Sequence, residues 1–368
     1  MKQIAMATFA IFLAAACSER PRTCNLLIGT YTQNTGSRGL YACEVDVATG
    51  KANLSVAFDA IVNPSYLTFS PDGKTVYAVS EAGMSSAVMA FSFDSKTGKL
   101  SPLNSVQAQG IDPCYIAATD RHVVTANYTS GSISVFDRDS SGALGAIRQV
   151  IRHVGKSVKH RQQDAPHVHQ TIFTPDEKFL LANDLGTDRI TLYAYAPRES
   201  KRILTPVDSL PVKRGSGPRH AALGSGGKVG YLLQELDGTI TVFSIRADGK
   251  LAVLQETTIA RKENQENGGA DIHISPDGKF LYATNRGAAN DVTCFAIGED
   301  GTLDFVEQLP TGGKGPRNFT ITPDGDYIFV GNQYTNSITI FARDKNTGKL
   351  TNTGKQIHVA APVCLLLY

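Results

Sequence analysis

The sequence carries no basic run: its 36 Lys and Arg are scattered and nearly matched by 34 Asp and Glu, leaving a net charge of +2. A nucleic-acid partner would call for a basic patch or stripe, so none is expected. No Cys-x-x-Cys pair occurs, which leaves zinc-finger and thioredoxin-type readings without support. Beyond Cys17 the cysteines are Cys24, Cys43, Cys114, Cys294 and Cys364, an odd set that must leave at least one unpaired. Cys43, Cys294 and Cys364 lie in apolar, strand-like runs, where cysteine acts as a small core residue. Helical periodicity is also missing outside the first residues.

Those first residues hold the one long apolar stretch. In "MKQIAMATFAIFLAAAC", Lys2 precedes an apolar segment from Ile4 to Leu13, followed by small residues and Cys17. This is the layout of a secretory signal, and it is too short for a comfortable membrane span. The ending "LAAAC" is similar to a bacterial lipoprotein signal, in which the cysteine becomes the lipidated N-terminus. The expectation is a signal peptide over 1–16, then lipidated Cys17 and a short tether over 17–24. The protein would then be exported and lipid-anchored, in the periplasm or at an outer membrane, touching the membrane only through that anchor. If the signal is not used, the chain stays cytoplasmic.

What the chain has in plenty is turn residues, with 34 Gly and 16 Pro in 368 residues, 42% of them hydrophobic. Six segments align: "NPSYLTFSPDGKTVYAVSE", "DPCYIAATDRHVVTANYTSGSISVF", "APHVHQTIFTPDEKFLLANDLGTDRITLY", "GPRHAALGSGGKVGYLLQELDGTITVF", "GGADIHISPDGKFLYATNRGAANDVTCF" and "GPRNFTITPDGDYIFVGNQYTNSITIF". Each opens on a Gly/Pro corner and runs through a strand to a tight turn. A second strand, a polar loop and a third strand follow, and a fourth lies beyond turns such as "DSKTGKL" and "DKNTGKL". β-Branched and aromatic runs separated by Asp-Gly or Thr-Gly turns are hairpin chemistry. Four-stranded repeats of roughly fifty residues are the signature of a β-propeller. "NLLIGTYT" and "RGLYACEV" at the start and "APVCLLLY" at the end supply a seventh blade. The reading is an all-β, seven-bladed propeller over 25–368, a single domain closed by a blade drawn from both ends.

Strands alternate in direction within a blade, so the connections fall on two faces in turn. The "PDGK" and "TGKL" turns share one face and are turn devices. The segments leading into the blades ("APHVH", "GPRH", "GPRN") share the other face with the loops "NDLGTD", "QELDG", "NRGAAN" and "NQYTN". Because the lead-in segments start the innermost strands, their side chains can reach a central funnel. His167, His169, Arg219, His220, Arg317 and Asn318 approach it from this set, and Asp184, Glu235, Asn285 and Arg286 from the loops. His167 and His169 lie on the same side of an extended strand. Packing between blades is the competing role for His167 and for His169, as loop capping is for Asp184 and Asp188. An isolated Glu235 after the apolar "GYLLQ" calls for a partner, with Arg219 or Arg286 the natural choice. No metal or other cofactor is expected. Zinc wants about three protein ligands and "HVH" offers two, while calcium wants several Asp, Asn or Glu oxygens where arginines gather instead.

In order and spacing, "GTYT", "NPSYL", "PHVH", "DLGTDRI", "GSGPRH", "ISPDGKFLYATNRG", "GPRNF" and the terminal "PVC" together resemble the seven-bladed propeller lactonases. These are the 6-phosphogluconolactonase type and the related muconate-lactonising enzymes of fungi. The likeness runs from about Leu26 to the end. It implies a cleft at the funnel with His169, Arg219, Glu235 and Arg286 as active site. The substrate expected is a small sugar lactone, with or without a phosphate, hydrolysed without a metal; His167, His220, Asp184, Asn285, Arg317 and Asn318 would bind it. Two features depart from the family: Ser80-Glu81 stands where the family has Asn-Glu, and a phosphogluconolactonase of the pentose phosphate pathway belongs in the cytoplasm. The alternatives are a lactonising or isomerising enzyme acting on an unsaturated dicarboxylate, and a non-catalytic exported propeller that binds a glycan or a protein.

Overall fold

The hairpin turns show why these segments fold as they do. Ser70 Oγ donates to Asp72 Oδ1 at 2.6 Å, and Thr174, Ser275 and Thr322 do the same to Asp176, Asp277 and Asp324 at 2.7, 2.5 and 2.7 Å. Each hydroxyl also accepts the N–H five residues on, from Thr75, Phe179, Phe280 and Tyr327. The side chains thereby hold the turn before any sheet is completed. Gly73, Gly278 and Gly325 supply the positive φ that the turn needs, at 68°, 72° and 75°.

The computed structural model describes residues 22–199, 202–261 and 266–368. The signal peptide and Cys17 expected from the sequence lie outside the described residues. Strands form seven four-stranded antiparallel sheets, the blades of a β-propeller. The innermost strands are Leu67–Phe69, Pro113–Ala118, Val168–Phe173, Pro218–Leu223, Gly269–Ile274, Pro316–Ile321 and Pro362–Leu367. They begin blades one to seven and approach one another in that order around a central channel. In blade seven, Pro362–Leu367 pairs antiparallel with Thr23–Thr30, placing Leu26 opposite Leu367. Among the described residues the helical elements are two 3-10 turns, Gly83–Ser85 and Gln333–Thr335, and no helix is long and apolar enough to cross a membrane.

The core lies between blades. Leu181, Ile190 and Leu192 of blade three interlock with Ala221, Leu232 and Phe243 of blade four, and equivalent clusters fill the other gaps. Second strands are therefore buried on both faces, and runs such as "FLLAND" and "VGYLLQ" are nearly continuous in apolar residues. Each buried Leu, Ile or Phe is worth about 1.5–3 kcal/mol against exposure. This packing holds the inner strands in register and so fixes the channel. All five cysteines among the described residues are free.

One irregularity recurs at the channel end of the inner strands. The register shifts between Pro113 and Tyr115, Val168 and Gln170, Pro218 and His220, and Pro316 and Asn318. Each shift is a β-bulge that inserts one extra residue: Cys114, His169, Arg219 and Arg317. A bulge re-aims side chains and breaks the alternation of faces. Consecutive residues such as Arg219 and His220, or Arg317 and Asn318, consequently line one narrow central cavity.

Candidate active site

Two stacked layers of side chains surround the channel mouth. The upper layer comes from the residue just after each second strand: Tyr31, Glu81, Tyr128, Leu185, Glu235, Arg286 and Gln333. Their backbones are held alike, each donating its N–H to a lead-in carbonyl: Ala361, Asn63, Asp112, His167, Gly217, Gly268 and Gly315, respectively. The layer below comes from the bulges and their counterparts, including Ser65, Cys114, His169, Arg219 and Arg317. The fold thus fixes the seven upper main-chain positions around the channel, and the sequence decides what each presents.

On one side the upper layer holds a charged clasp. Arg219 Nε and Arg286 Nη2 each lie 3.0 Å from the same oxygen, Glu235 Oε2. Arg219 also donates to the Ala270 carbonyl, and Arg286 Nε to the Gly268 carbonyl at 3.1 Å. Burial would raise the Glu235 carboxyl, but Arg286, Arg219 and Arg317 outweigh it and hold the group below its ordinary value. Burial and the neighbouring Arg286 and Arg317 push Arg219 down to about 10, which still leaves it charged at neutral pH. The Glu235 side chain remains 25% exposed, and no hydrogen bond occupies Oε1 among the described residues. An ionised oxygen therefore faces the funnel.

Below the clasp, His169 packs edge-on to His220 with ring centroids 5.2 Å apart and edge-on to Tyr128 at 5.6 Å. The Cys114 sulfur lies 3.8 Å from His169 Nδ1. Burial and the arginines keep His169 well below the ordinary histidine range, so at neutral pH it is uncharged. His220 is likewise pushed down to about 4, by burial and Arg219 against the opposing pull of Asp271. Asp271 anchors the channel floor. Oδ1 pairs with His220 Nδ1 at 2.8 Å, and Oδ2 with His273 Nε2 at 2.9 Å and with the Asn318 amide at 2.5 Å. Nδ1 of His220 is thereby assigned the proton, and Nε2, which is buried without a protein partner, becomes an acceptor.

Across the funnel the chemistry differs. Arg317 donates to the Tyr31 hydroxyl at 2.7 Å and lies over its ring at 5.1 Å. Ser65 donates to the Glu81 carboxyl, and Tyr31 is a near neighbour that favours the carboxylate. Burial raises that carboxyl above its usual range despite Arg317, Ser65 and Tyr31, and Asp112 adds to the rise.

The sequence-predicted residues divide. His169, Arg219, His220, Glu235, Arg286, Arg317 and Asn318 gather around the channel. Asp184 does not join them and is corrected to loop scaffolding. Oδ1 accepts the N–H groups of His167, Gly186 and Thr187, and Oδ2 pairs with His153 Nδ1 at 2.8 Å. Asn285 is corrected on the same ground, since it bonds the Gly268 N–H and the Asn267 side chain. Asp188 caps its loop through Ser157, Gln163, Gly215 and Gly217. His167 sits at the edge, stacked on Tyr128 with centroids 4.4 Å apart and Nδ1 3.0 Å from the Tyr128 carbonyl. Tyr31, Tyr128 and Cys114 belong to the cluster and were not picked out, while Glu81 was noted only as a departure from the family. Alignment of the repeats on the ends of their second strands would have found the upper three, because they occupy the place of Glu235 and Arg286. Among the described residues, no group of three or more His, Cys, Asp or Glu is arranged to hold a metal ion.

Comparison with known proteins gives one consistent result. The family described as a lactonase with a 7-bladed beta-propeller matches residues 25–367. A 6-phosphogluconolactonase of Formosa agariphila is 33% identical over 93% of this chain and 99% of its own. The crystal structure of a candidate 6-phosphogluconolactonase from Bacteroides fragilis superposes with a TM-score of 0.88 at 42% identity, covering 94% of this chain and 98% of that one. The periplasmic gluconolactonase of Pseudomonas aeruginosa also superposes with a TM-score of 0.88, at 33% identity, covering 94% and 99%.

Proposed function

Because the chain belongs to the seven-bladed β-propeller lactonase family, a family of lactone hydrolases, we propose that its substrate is a sugar lactone opened by water at the channel mouth without a metal ion. The observation that carries this reading is the ionised Glu235, held between Arg219 and Arg286, with neutral His169 in the field of the same two arginines. Glu235 takes the proton of the attacking water, and His169, uncharged at neutral pH, holds that water as an acceptor. The arginines are fixed planar donors suited to the developing oxyanion or to an anionic substituent of the sugar. Removing one good oxyanion donor costs about 3–4 kcal/mol of barrier stabilisation.

Base uptake at near-neutral pH with 6-phosphogluconolactone and with gluconolactone tests the proposal. Turnover that survives a chelator and is lost in Glu235→Ala and His169→Ala supports it, and the ratio of the two substrates reports whether phosphate is read. Turnover abolished by the chelator, or preserved in both variants, would refute it. We also propose export and a lipid anchor at Cys17, on the strength of the segment from Lys2 to Cys17. Mass spectrometry of the membrane fraction tests this, since an unmodified Cys17 in a soluble product excludes the anchor.

A further inference from the structure

The upper layer holds two carboxyls at equivalent backbone positions, Glu235 in blade four and Glu81 in blade one, on nearly opposite sides of the mouth. Their partners differ in kind. Glu235 is met by two guanidinium groups, which can only donate and therefore require a carboxylate. Glu81 is met by the Ser65 hydroxyl, with the Tyr31 hydroxyl nearby, and hydroxyls can donate or accept and therefore tolerate a protonated carboxyl. Among the described residues no ion pair joins Glu81 to an arginine, and Arg317 reaches it through the Tyr31 hydroxyl. A carboxylate that stays ionised in a buried ring is paired directly, as Glu235 is. Glu81 has the surroundings of an acid that holds a proton and can release it.

We propose that Glu81 protonates the departing ring oxygen of the lactone, with Tyr31 and Ser65 as its positioning residues. The step rests on the lactonase reading above. Water attacks the carbonyl carbon and its proton passes to Glu235. The bond from the carbonyl carbon to the ring oxygen then breaks, and its electron pair stays on the ring oxygen, which takes the proton of Glu81. The product acid ionises, and the two carboxyls are reset through solvent, so one proton is released per lactone opened. The side chains around Glu81 agree with this division of labour. Tyr31 of blade seven, Arg317 of blade six and Ser65 of its own blade favour the carboxylate; burial outweighs them, and Asp112 of blade two adds to the rise. Carboxyl pairs driven in opposite directions are the usual mark of an acid and a base sharing one site.

The test compares leaving groups, because a phenol departs without an acid and a sugar alcohol does not. E81Q is assayed on gluconolactone and on the aryl lactone dihydrocoumarin. With gluconolactone, kcat falls by about 100-fold or more and the alkaline limb of its pH profile disappears. With dihydrocoumarin the fall is at least tenfold smaller. Equal losses on both substrates, or an alkaline limb that survives, overturn the proposal. If dihydrocoumarin is not turned over, the limb decides alone. If E81Q melts well below the wild type, S65A carries the test: removing the Ser65 hydroxyl raises the Glu81 carboxyl and moves the alkaline limb to higher pH, and an unmoved limb overturns the proposal. Turnover of neither lactone by the wild type sinks the lactonase reading itself.

Discussion

At the hairpin turns, Ser70, Thr174, Ser275 and Thr322 make the same hydrogen bonds with nearly the same lengths. At the channel mouth, backbone positions just as equivalent carry Tyr31, Glu81, Tyr128, Leu185, Glu235, Arg286 and Gln333. In the turns the side chain is part of the hydrogen-bonding that makes the fold, so its identity recurs. At the mouth a main-chain hydrogen bond holds each position whatever the side chain, so the side chain is free to differ from blade to blade. Repetition on one face and variety on the other separate structural from chemical residues.

The comparison breaks most visibly at Glu235. Glu235→Gln keeps the shape and removes the charge between two arginines, so kcat/KM for the lactone should fall on the order of 1,000-fold, measured by base uptake. Next comes Arg219→Met. It leaves a half-paired carboxylate in the ring and should lower stability by about 3 kcal/mol in a urea titration, with turnover lost as well.

The pH dependence of stability sharpens the contrast further. His169 and His220 are depressed in the folded state, so between the unfolded value of about 6.5 and their folded values the unfolded chain binds more protons. Stability is then lost as pH falls through that window, which for His220 ends at about 4. His273, which burial would lower but Asp271 raises, acts in the opposite sense and only above about 6.5. Urea midpoints should drop from pH 6.5 to pH 4.5, and His220→Gln should flatten that slope by roughly 1–3 kcal/mol. A slope unchanged in His220→Gln would show that the channel histidines do not control it. The smallest effect belongs to the turns. Thr174→Ala should cost about 1 kcal/mol and leave kcat alone, which thermal unfolding and the lactone assay can check together.

The same contrast explains what could be read from the sequence. Turn chemistry recurs, so the blades, their strand order and the two faces were legible from "PDGK" and "TGKL". Arg219, Glu235 and Arg286 were legible because a charge beside an apolar strand needs a reason. Asp184 and Asn285 misled, since an acid or amide at a loop entrance looks the same whether it faces substrate or its own backbone. Here the N–H groups of His167, Gly186, Thr187 and Gly268 claim them. Tyr31 and Tyr128 were hidden for the opposite reason, as phenols near strand ends pass for core. Cys114 was hidden by the bulge, which no alternation of residue types announces.

The uniform main-chain bond at the mouth also bears on how such a protein diversifies. Each of its side chains hangs from a hydrogen bond made within its own blade, so a point substitution at one blade leaves the other six in place. New specificity can therefore arise one codon at a time, without passing through misfolded intermediates. Leu185 marks the limit of that freedom: it is buried at 1% exposure, and a polar group there would need a new partner.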